Sequence, residues 1–457
     1  MGDDGTDAID AFARHVATTG FDDFPAAAID KAKTFILDSF GVAIAGTTGP
    51  HVAELIEAAG DWGAGDAASV WGRGARLPAP SAAMVNAYQT HNSEFDAIHE
   101  GAVVHAMASI LAASMSDAER QGGVSGRALL EAVVLGCDVS CGIGLGATTG
   151  LSFFRPATAG AFGALAAVGK LSGLDADTMT NAFGLLLGQI SGTMQAHREG
   201  SAALGLQLGF CTRAAVMARD LAARGVTGPH DVLEGEFGYY ALFEGGHDLN
   251  RVLPALGKTW RIAKISHKPF PSGRASHGAI HALLTLRRQH GFGPEDVAHV
   301  LAEVTPLVLE LTGRPMIDDP GPNYARLCIP YVGAVALLRD AVEVADFRAD
   351  RLGDPGVAAL ARRIEVVVTD NPDPNALVPQ RITVRLEDGG EHTLDVGTVI
   401  GHPDKPLTRE QHLAKFRSNW QAGVNPLPEA NGEALIEAID RLEEIADCRE
   451  IAALLTP

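Results

Sequence analysis

From about residue 7 to 245, apolar positions recur at every third and fourth residue, and the side chains that build this pattern are small. Segments such as AIDKAKTFILDSFGVAIAG, GRALLEAVVLGCDVSCGIGLGA, TAGAFGALAAVGKLSG and LGFCTRAAVMARDLAARG are rich in Ala, Leu and Gly. That period predicts helices, and the lack of bulk lets them approach closely, so a tightly packed helical domain with few strands is expected to about residue 265. After Lys258 the pattern changes. HVLAEVTPLVLEL, ARRIEVVVTD and RITVRLEDGGEHTLDV are β-branched and alternating, and the last folds back on Asp388-Gly389-Gly390 as a hairpin. Helical segments SHGAIHALLTLRRQ and PYVGAVALLRDAV lie between them, and TREQHLAKFRSNW and GEALIEAIDRLEEIA return to helix at the end. The partition is mainly α: a large helical domain over 1–268, a smaller α+β domain over 269–402, and a returning helical segment over 403–457 that closes the first. No internal repeat or low-complexity linker interrupts it.

Thirty-six Lys and Arg stand against 56 Asp and Glu, a net charge of −20. This argues against nucleic acid and anionic membranes as partners. No apolar run reaches the roughly 18 to 20 residues of a membrane span, and MGDDGTDAID has neither a basic region nor an apolar core for secretion, which points to the cytoplasm. Five cysteines are an odd number, most in apolar sequence; Cys137 and Cys141, one helical turn apart, read as core packing.

Chemistry concentrates in two places. His91 to His105, HNSEFDAIHEGAVVH, holds His91, Glu94, Asp96, His99, Glu100 and His105 between small-residue, apolar flanks that read as buried helix. Such groups must be paired, solvated in a cleft, or catalytic, because isolated buried charges are costly. Imidazole and carboxylate three apart, as in His91/Glu94 and Asp96/His99, also suit a divalent ion, but no HExxH or zinc-spaced Cys/His set accompanies them, so metal-free acid/base chemistry is favoured. The second place runs from Lys258 to His281, where Lys258, Arg261, Lys264, His267, Lys268, Arg274, His277 and His281 occur without an acid. It supplies an anion site to an acidic chain. Pro269 and Pro271 make a stiff entry to a helix starting near Ser276; Arg274 can fork onto a carboxylate, and Lys268 can act as point charge or acid.

Together these segments resemble the MmgE/PrpD family, which includes 2-methylcitrate dehydratase, cis-aconitate decarboxylase and iminodisuccinate epimerase. FILDSFGVAIAG is similar to an early family helix, VNAYQTHNSEFDAIHEGAVVHAMA to its acidic-histidine motif, HKPFPSGRASH to its lysine-proline-aromatic-proline motif, CIPYVGAVAL to its tyrosine motif and PDKPLTREQHLAKF to its C-terminal helix entry. The resemblance implies a helical domain with an α+β lid, a homodimer, and no cofactor or metal. It implies roles for Glu94 as site carboxylate, His105 as site histidine, Lys268 as site lysine and Tyr331 as site hydroxyl, with Asp96, His99, Arg274 and His277 beside the substrate. The chain departs from the family pattern at Ala97 and Ile98, where it has a second Asp and a Thr or Ser. It departs also at Leu204 and Gln207, where the family often has Lys and His, and at Arg155 in place of a histidine. Arg155, Leu204 and Gln207 are therefore expected to line the pocket and select an acid with fewer carboxylates and an apolar portion.

The chemistry implied is proton removal from carbon beside a carboxylate, with His105 as base or acid, cations on the carboxylates, and Tyr331 passing a proton. Three readings follow: a cofactor-independent lyase that dehydrates or decarboxylates a small carboxylic acid, an epimerase of a small dicarboxylate, or a ligand-binding member that has lost catalysis. Retention of Glu94, His105, Lys268 and Tyr331 favours an enzyme.

Overall fold

The computed structural model describes residues 6–373 and 375–457. Its first hydrophobic core is built by the helices Ala26–Gly46, Ala79–His91, Ala106–Arg120, Gly126–Gly146, Arg155–Leu171 and Ala203–Ala222. Gly126–Gly146 packs along Arg155–Leu171, and Ala106–Arg120 contacts both. The small residues are what permit this. A Cβ built on Gly163 would lie 2.5 Å from the Gly136 carbonyl oxygen, and one on Gly136 would lie 2.8 Å from that of Gly163. Any larger residue at this crossing would drive the two backbones apart.

Gly126–Gly146 corrects one expectation. This 21-residue helix, with mean hydropathy 1.8 over its most apolar window, is long and apolar enough to cross a membrane, but 83% of that window is buried among the other helices. Arg127, Glu131 and Asp138 dilute the run as read from sequence. A second correction concerns the end of the helical region. α-Helix stops at Ala222, and the chain to Gly273 is turn and short 3₁₀ segments with one π-helical turn at Tyr240–Glu244, because Gly, Pro and Asp break the period there.

The last helices, Arg409–Gln421, Glu429–Asp440 and Arg449–Leu454, return to the first core: Phe416, Trp420, Leu435, Ile439 and Ile451 are buried in it. Phe416 seats against Gly41, where a Cβ would come within 2.9 Å of its ring.

The second core lies between residues 275 and 399. The short strands β1 (Ala68–Ser69) and β2 (Arg76–Leu77) belong to the helical region; the remaining strands β3 (Val297–Val304), β4 (Ile364–Val368), β5 (Gln380–Leu386) and β6 (Glu391–Val396) form a mixed sheet in the order β4-β3-β5-β6. β3 pairs parallel with β4 and antiparallel with β5, and β5 pairs antiparallel with β6. The β5–β6 connection is the Asp-Gly-Gly turn read from sequence: Gly389 has φ +89°, and Gly390 N donates to Asp388 Oδ1 at 2.8 Å. Helices His277–His290 and Ile329–Arg339 contact this sheet. The stretch HVLAEVTPLVLEL is strand only to Val304. Thr305 caps a helix Pro306–Thr312 by accepting from Val308 N, and Pro306 occupies its first turn, which suits helix entry and ends a ladder.

Candidate active site

The helix Ala79–His91 is buried on every side and delivers His91 at its C-terminal end. The following segment is bent twice through the left-handed region, at Glu94 (φ +52°) and at Val103 (φ +52°). A β-branched residue at positive φ is uncommon, and strain of this kind costs on the order of 1–3 kcal/mol and persists only where its surroundings enforce it. The enforcing contacts are visible. Ile98 N donates to Ser266 O and Ser266 N to Ile98 O at 3.1 and 2.8 Å, which clamps this loop to the basic segment just ahead of His267 and Lys268. His99 pairs with Val104, and Ala102 N donates to His99 Nδ1 at 3.1 Å. His105 then begins the helix Ala106–Arg120.

The clamp brings opposite charges together. Lys268 Nζ donates to Glu94 Oε2 at 2.9 Å and to its carbonyl at 3.0 Å, with no part of the lysine exposed. Burial alone would raise the Glu94 carboxyl, but Lys268, His91 and His105 outweigh it and hold it at about 2. Asp96 sits between two imidazoles: His91 Nδ1 is 3.1 Å from both its oxygens, and His105 Nδ1 is 3.1 Å from Oδ2 without hydrogen-bond alignment. The two rings meet edge to face at 4.7 Å. Burial opposes charge on Asp96, yet His105 and His91 hold it well below the carboxylate range. The imidazoles diverge. Burial opposes charge on His91, but Asp96 and Glu94 raise its proton affinity, whereas burial and Lys268 lower that of His105. The two imidazoles are thus biased apart, His91 toward its protonated form and His105 toward the neutral form that can take a proton. His91, Asp96 and His105 also have donors within 4.8 Å of one another.

His105 faces a cavity with about 60 Å³ of free space, which is also lined by Glu94, Glu100, His197 and Arg274. Its apolar wall comes from Phe154 and Met194 of the first region and Leu311, Leu327 and Leu377 of the second. His105 Nε2 has no protein hydrogen-bond partner among the described residues. Met194 and His197 are shared with a wider outer cavity of about 840 Å³, where Arg198, Arg314 and Tyr324 stand.

Not every residue singled out in the sequence reaches this wall. Arg274 does, with Nε donating to Glu100 Oε1 at 2.8 Å and Nη1 to Ile400 O at 2.7 Å. Lys268 and Asp96 lie behind it, holding Glu94 and His105. His99 supports its own turn; burial and Arg261 lower it to about 4, so its ring accepts rather than carries charge. His277 is fully buried, with Nε2 3.2 Å from Ser272 O. The Tyr331 hydroxyl donates to Asp346 O at 2.9 Å, away from the cavity wall, and burial pushes it up to about 12. Arg155 departs furthest from expectation. It is wholly buried, donating from Nε and Nη2 to Glu244 at 2.9 and 2.8 Å and from Nη1 to Ala102 O at 3.2 Å, so its fork is already filled. Leu204 borders a small void with His91, Glu94 and Leu327, while Gln207 is occupied with the backbone of Thr193. The three do not form one pocket wall.

The structure adds three residues that the sequence reading did not single out. His197, lowered to about 4 by burial and Arg314, stands between the two cavities. Arg314 donates to the His197 carbonyl at 3.0 Å, and Arg326 Nη1 to Asn92 O at 3.2 Å. Neither arginine has a carboxylate partner within ion-pair distance among the described residues. Arg314 has Glu310, Asp318 and Asp319 close by in sequence, so nothing in the linear chain marked it as a cation without an ion pair.

Comparison with known proteins covers most of the chain. The MmgE/PrpD N-terminal domain matches residues 10–252 and the MmgE/PrpD C-terminal domain residues 270–441. The chain belongs to the MmgE/PrpD family. Relatives include the cis-aconitate decarboxylase of Mus musculus, 26% identical over 449 residues covering 93% of this chain and 89% of the mouse protein. The Homo sapiens cis-aconitate decarboxylase is 26% identical over 454 residues, covering 93% of this chain and 90% of its own length. That of Aspergillus terreus is 27% identical over 474 residues, covering 96% and 94%. Residues of both matched domains line the cavity, and the Ile98–Ser266 clamp ties the first to the segment that joins them.

Proposed function

We propose that this protein is a cofactor-independent lyase that dehydrates or decarboxylates a small carboxylic acid, with proton transfer at the carbon beside a carboxylate. The observation that carries the reading is His105: a neutral imidazole with one nitrogen against Asp96 and the other free in a closed, largely apolar cavity. In that setting the ring takes a proton from carbon, or returns one to a carbanion, and Asp96 stabilises the imidazolium that forms. The cis-aconitate decarboxylase relatives support lyase chemistry over the epimerase and ligand-binding readings.

Charge in the cavity bears on the substrate. Glu94 and Glu100 are paired with Lys268 and Arg274, so Arg314, which lines the outer cavity without an ion-pair partner among the described residues, is a group left to attract a carboxylate. Leu204 and the apolar wall suit an acid with few carboxylates and an alkyl portion. The α+β region contributes Leu311, Leu327 and Leu377 to the cavity and acts as the lid that excludes water. Assembly as a homodimer is part of the same proposal. Phe210, Met217 and Leu221 expose an apolar stripe on one face of the Ala203–Ala222 helix, and light scattering coupled to gel filtration tests it.

The functional test is incubation with a panel of mono-, di- and tricarboxylic acids, followed by proton NMR and CO₂ release. New alkene signals or CO₂ with at least one acid are expected. Racemisation without net product would replace the lyase reading by an epimerase, and no change across the panel would leave a binding protein.

A further inference from the structure

Beneath the catalytic segment lies a second convergence of polar side chains that the proposed chemistry does not use. Asp38 comes from the middle of the helix Ala26–Gly46, His267 from the residue before Lys268, and His412 from the returning helix Arg409–Gln421. All three are more than nine-tenths buried. They offer one donor atom each within 4.8 Å of one another. Both Asp38 oxygens, His267 Nε2 and His412 Nε2 are buried without a hydrogen bond. Asp38 Oδ1 has Lys415 Nζ and His267 Nε2 as ion-pair neighbours, whereas His412 Nε2 has no partner among the described residues, and a buried polar atom left so requires an explanation.

We propose that Asp38, His267 and His412 bind one divalent transition-metal ion, of which zinc is the best fit, at a site separate from the catalytic cavity. Two imidazoles and a carboxylate are a donor set that zinc accepts. Bonds of about 2.0–2.2 Å at tetrahedral angles put neighbouring donors about 3.3–3.5 Å apart. His267 Nε2 and Asp38 Oδ1 are 3.3 Å apart. His267 and His412 also border a pocket of about 150 Å³, with room for a water as fourth ligand and a route of entry. Lys415, whose Nζ lies 2.7 Å from Asp38 Oδ1, keeps the carboxylate ionised and lowers the affinity expected for a dication.

The site would brace the catalytic segment from behind. Lys415 Nζ donates to Phe95 O at 3.0 Å, between Glu94 and Asp96, and His267 precedes Lys268. An ion here ties three distant parts of the chain to both halves of the Glu94–Lys268 pair.

The test is titration of the chelator-stripped, full-length protein with Zn²⁺, and separately with Co²⁺, read by calorimetry and by the visible absorption of tetrahedral cobalt. The native protein is expected to bind one equivalent at this site and to unfold at a higher temperature when it is filled. His412→Gln should weaken binding at least tenfold, and His267→Gln serves as a second variant should the first fold poorly. Asp96→Asn should leave the cobalt spectrum unchanged, which separates this site from the His91, Asp96, His105 group. Absence of binding at micromolar metal, or binding that both glutamine variants retain, overturns the proposal.

Discussion

Two buried ion pairs, Glu94–Lys268 and Arg155–Glu244, are alike in chemistry and opposite in surroundings. Arg155 is closed in: its guanidinium fills its hydrogen bonds on Glu244, Ala102 O and Thr149 O, and Tyr239 Oη donates to Glu244 Oε1 at 2.7 Å. Glu94 is held at positive φ, its carboxylate borders a cavity, and beside it stands a histidine with an open nitrogen. Buried charge alone therefore does not mark the reacting centre. Strained backbone, unused hydrogen-bonding capacity and adjacent free space occur together around Glu94, Asp96 and His105.

The comparison breaks first on turnover. His105→Ala is expected to lower turnover of the substrate found in the acid panel by about two to four orders of magnitude, the usual worth of a positioned acid or base, with little change in unfolding temperature. A fall below tenfold would remove His105 from the chemistry. Arg155→Met should do the reverse. It strands Glu244 and is expected to cost about 3–5 kcal/mol of stability, measured by urea unfolding, while the folded fraction keeps turnover within about tenfold. Lys268→Met sharpens the contrast: it also strands a carboxylate, and adding Glu94→Gln should restore much of the stability but not the activity.

How far the sequence revealed this arrangement differs by residue. The helical period, the β-branched switch and the Asp-Gly-Gly turn are local signals, and the structure has the corresponding elements. Glu94, Asp96, His105, Lys268 and Arg274 stood out because charge density and its reversal are visible in a linear chain. Side-chain direction is not. Arg155 opens a helix whose neighbours Phe154 and Pro156 line the cavity, yet its own side chain turns to a glutamate on a distant π-helical turn. Tyr331 likewise spends its hydroxyl on Asp346. Asp38, His267 and His412 lie too far apart in sequence for any spacing rule to unite them.

Smaller effects follow from titration. His99 and His197 are lowered to about 4 and His412 to about 3, each chiefly by burial, against about 6.5 in an unfolded chain. Between pH 6.5 and about 4 the unfolded state binds protons that the native state refuses, so stability falls as pH falls. His91, raised, contributes in the opposite sense, but its change falls above pH 6.5 and is complete below it. The urea midpoint is expected to be lower at pH 5 than at pH 7.5; an unchanged midpoint would show that these rings are not held neutral. The smallest expected effect is at Leu204, where Leu204→Lys should shift relative turnover toward acids with more carboxylates by a few fold, at some cost in stability from a cation buried beside His91.

The central claim, that His105 moves a proton at carbon, is tested most directly by running the reaction in D₂O with the native protein, His105→Ala and Arg155→Met, and measuring deuterium at the carbon beside the carboxylate. The account predicts site-specific deuterium, or its stereospecific loss, with the native protein and Arg155→Met, and at least a hundredfold slower exchange with His105→Ala. Equal exchange by His105→Ala would contradict it.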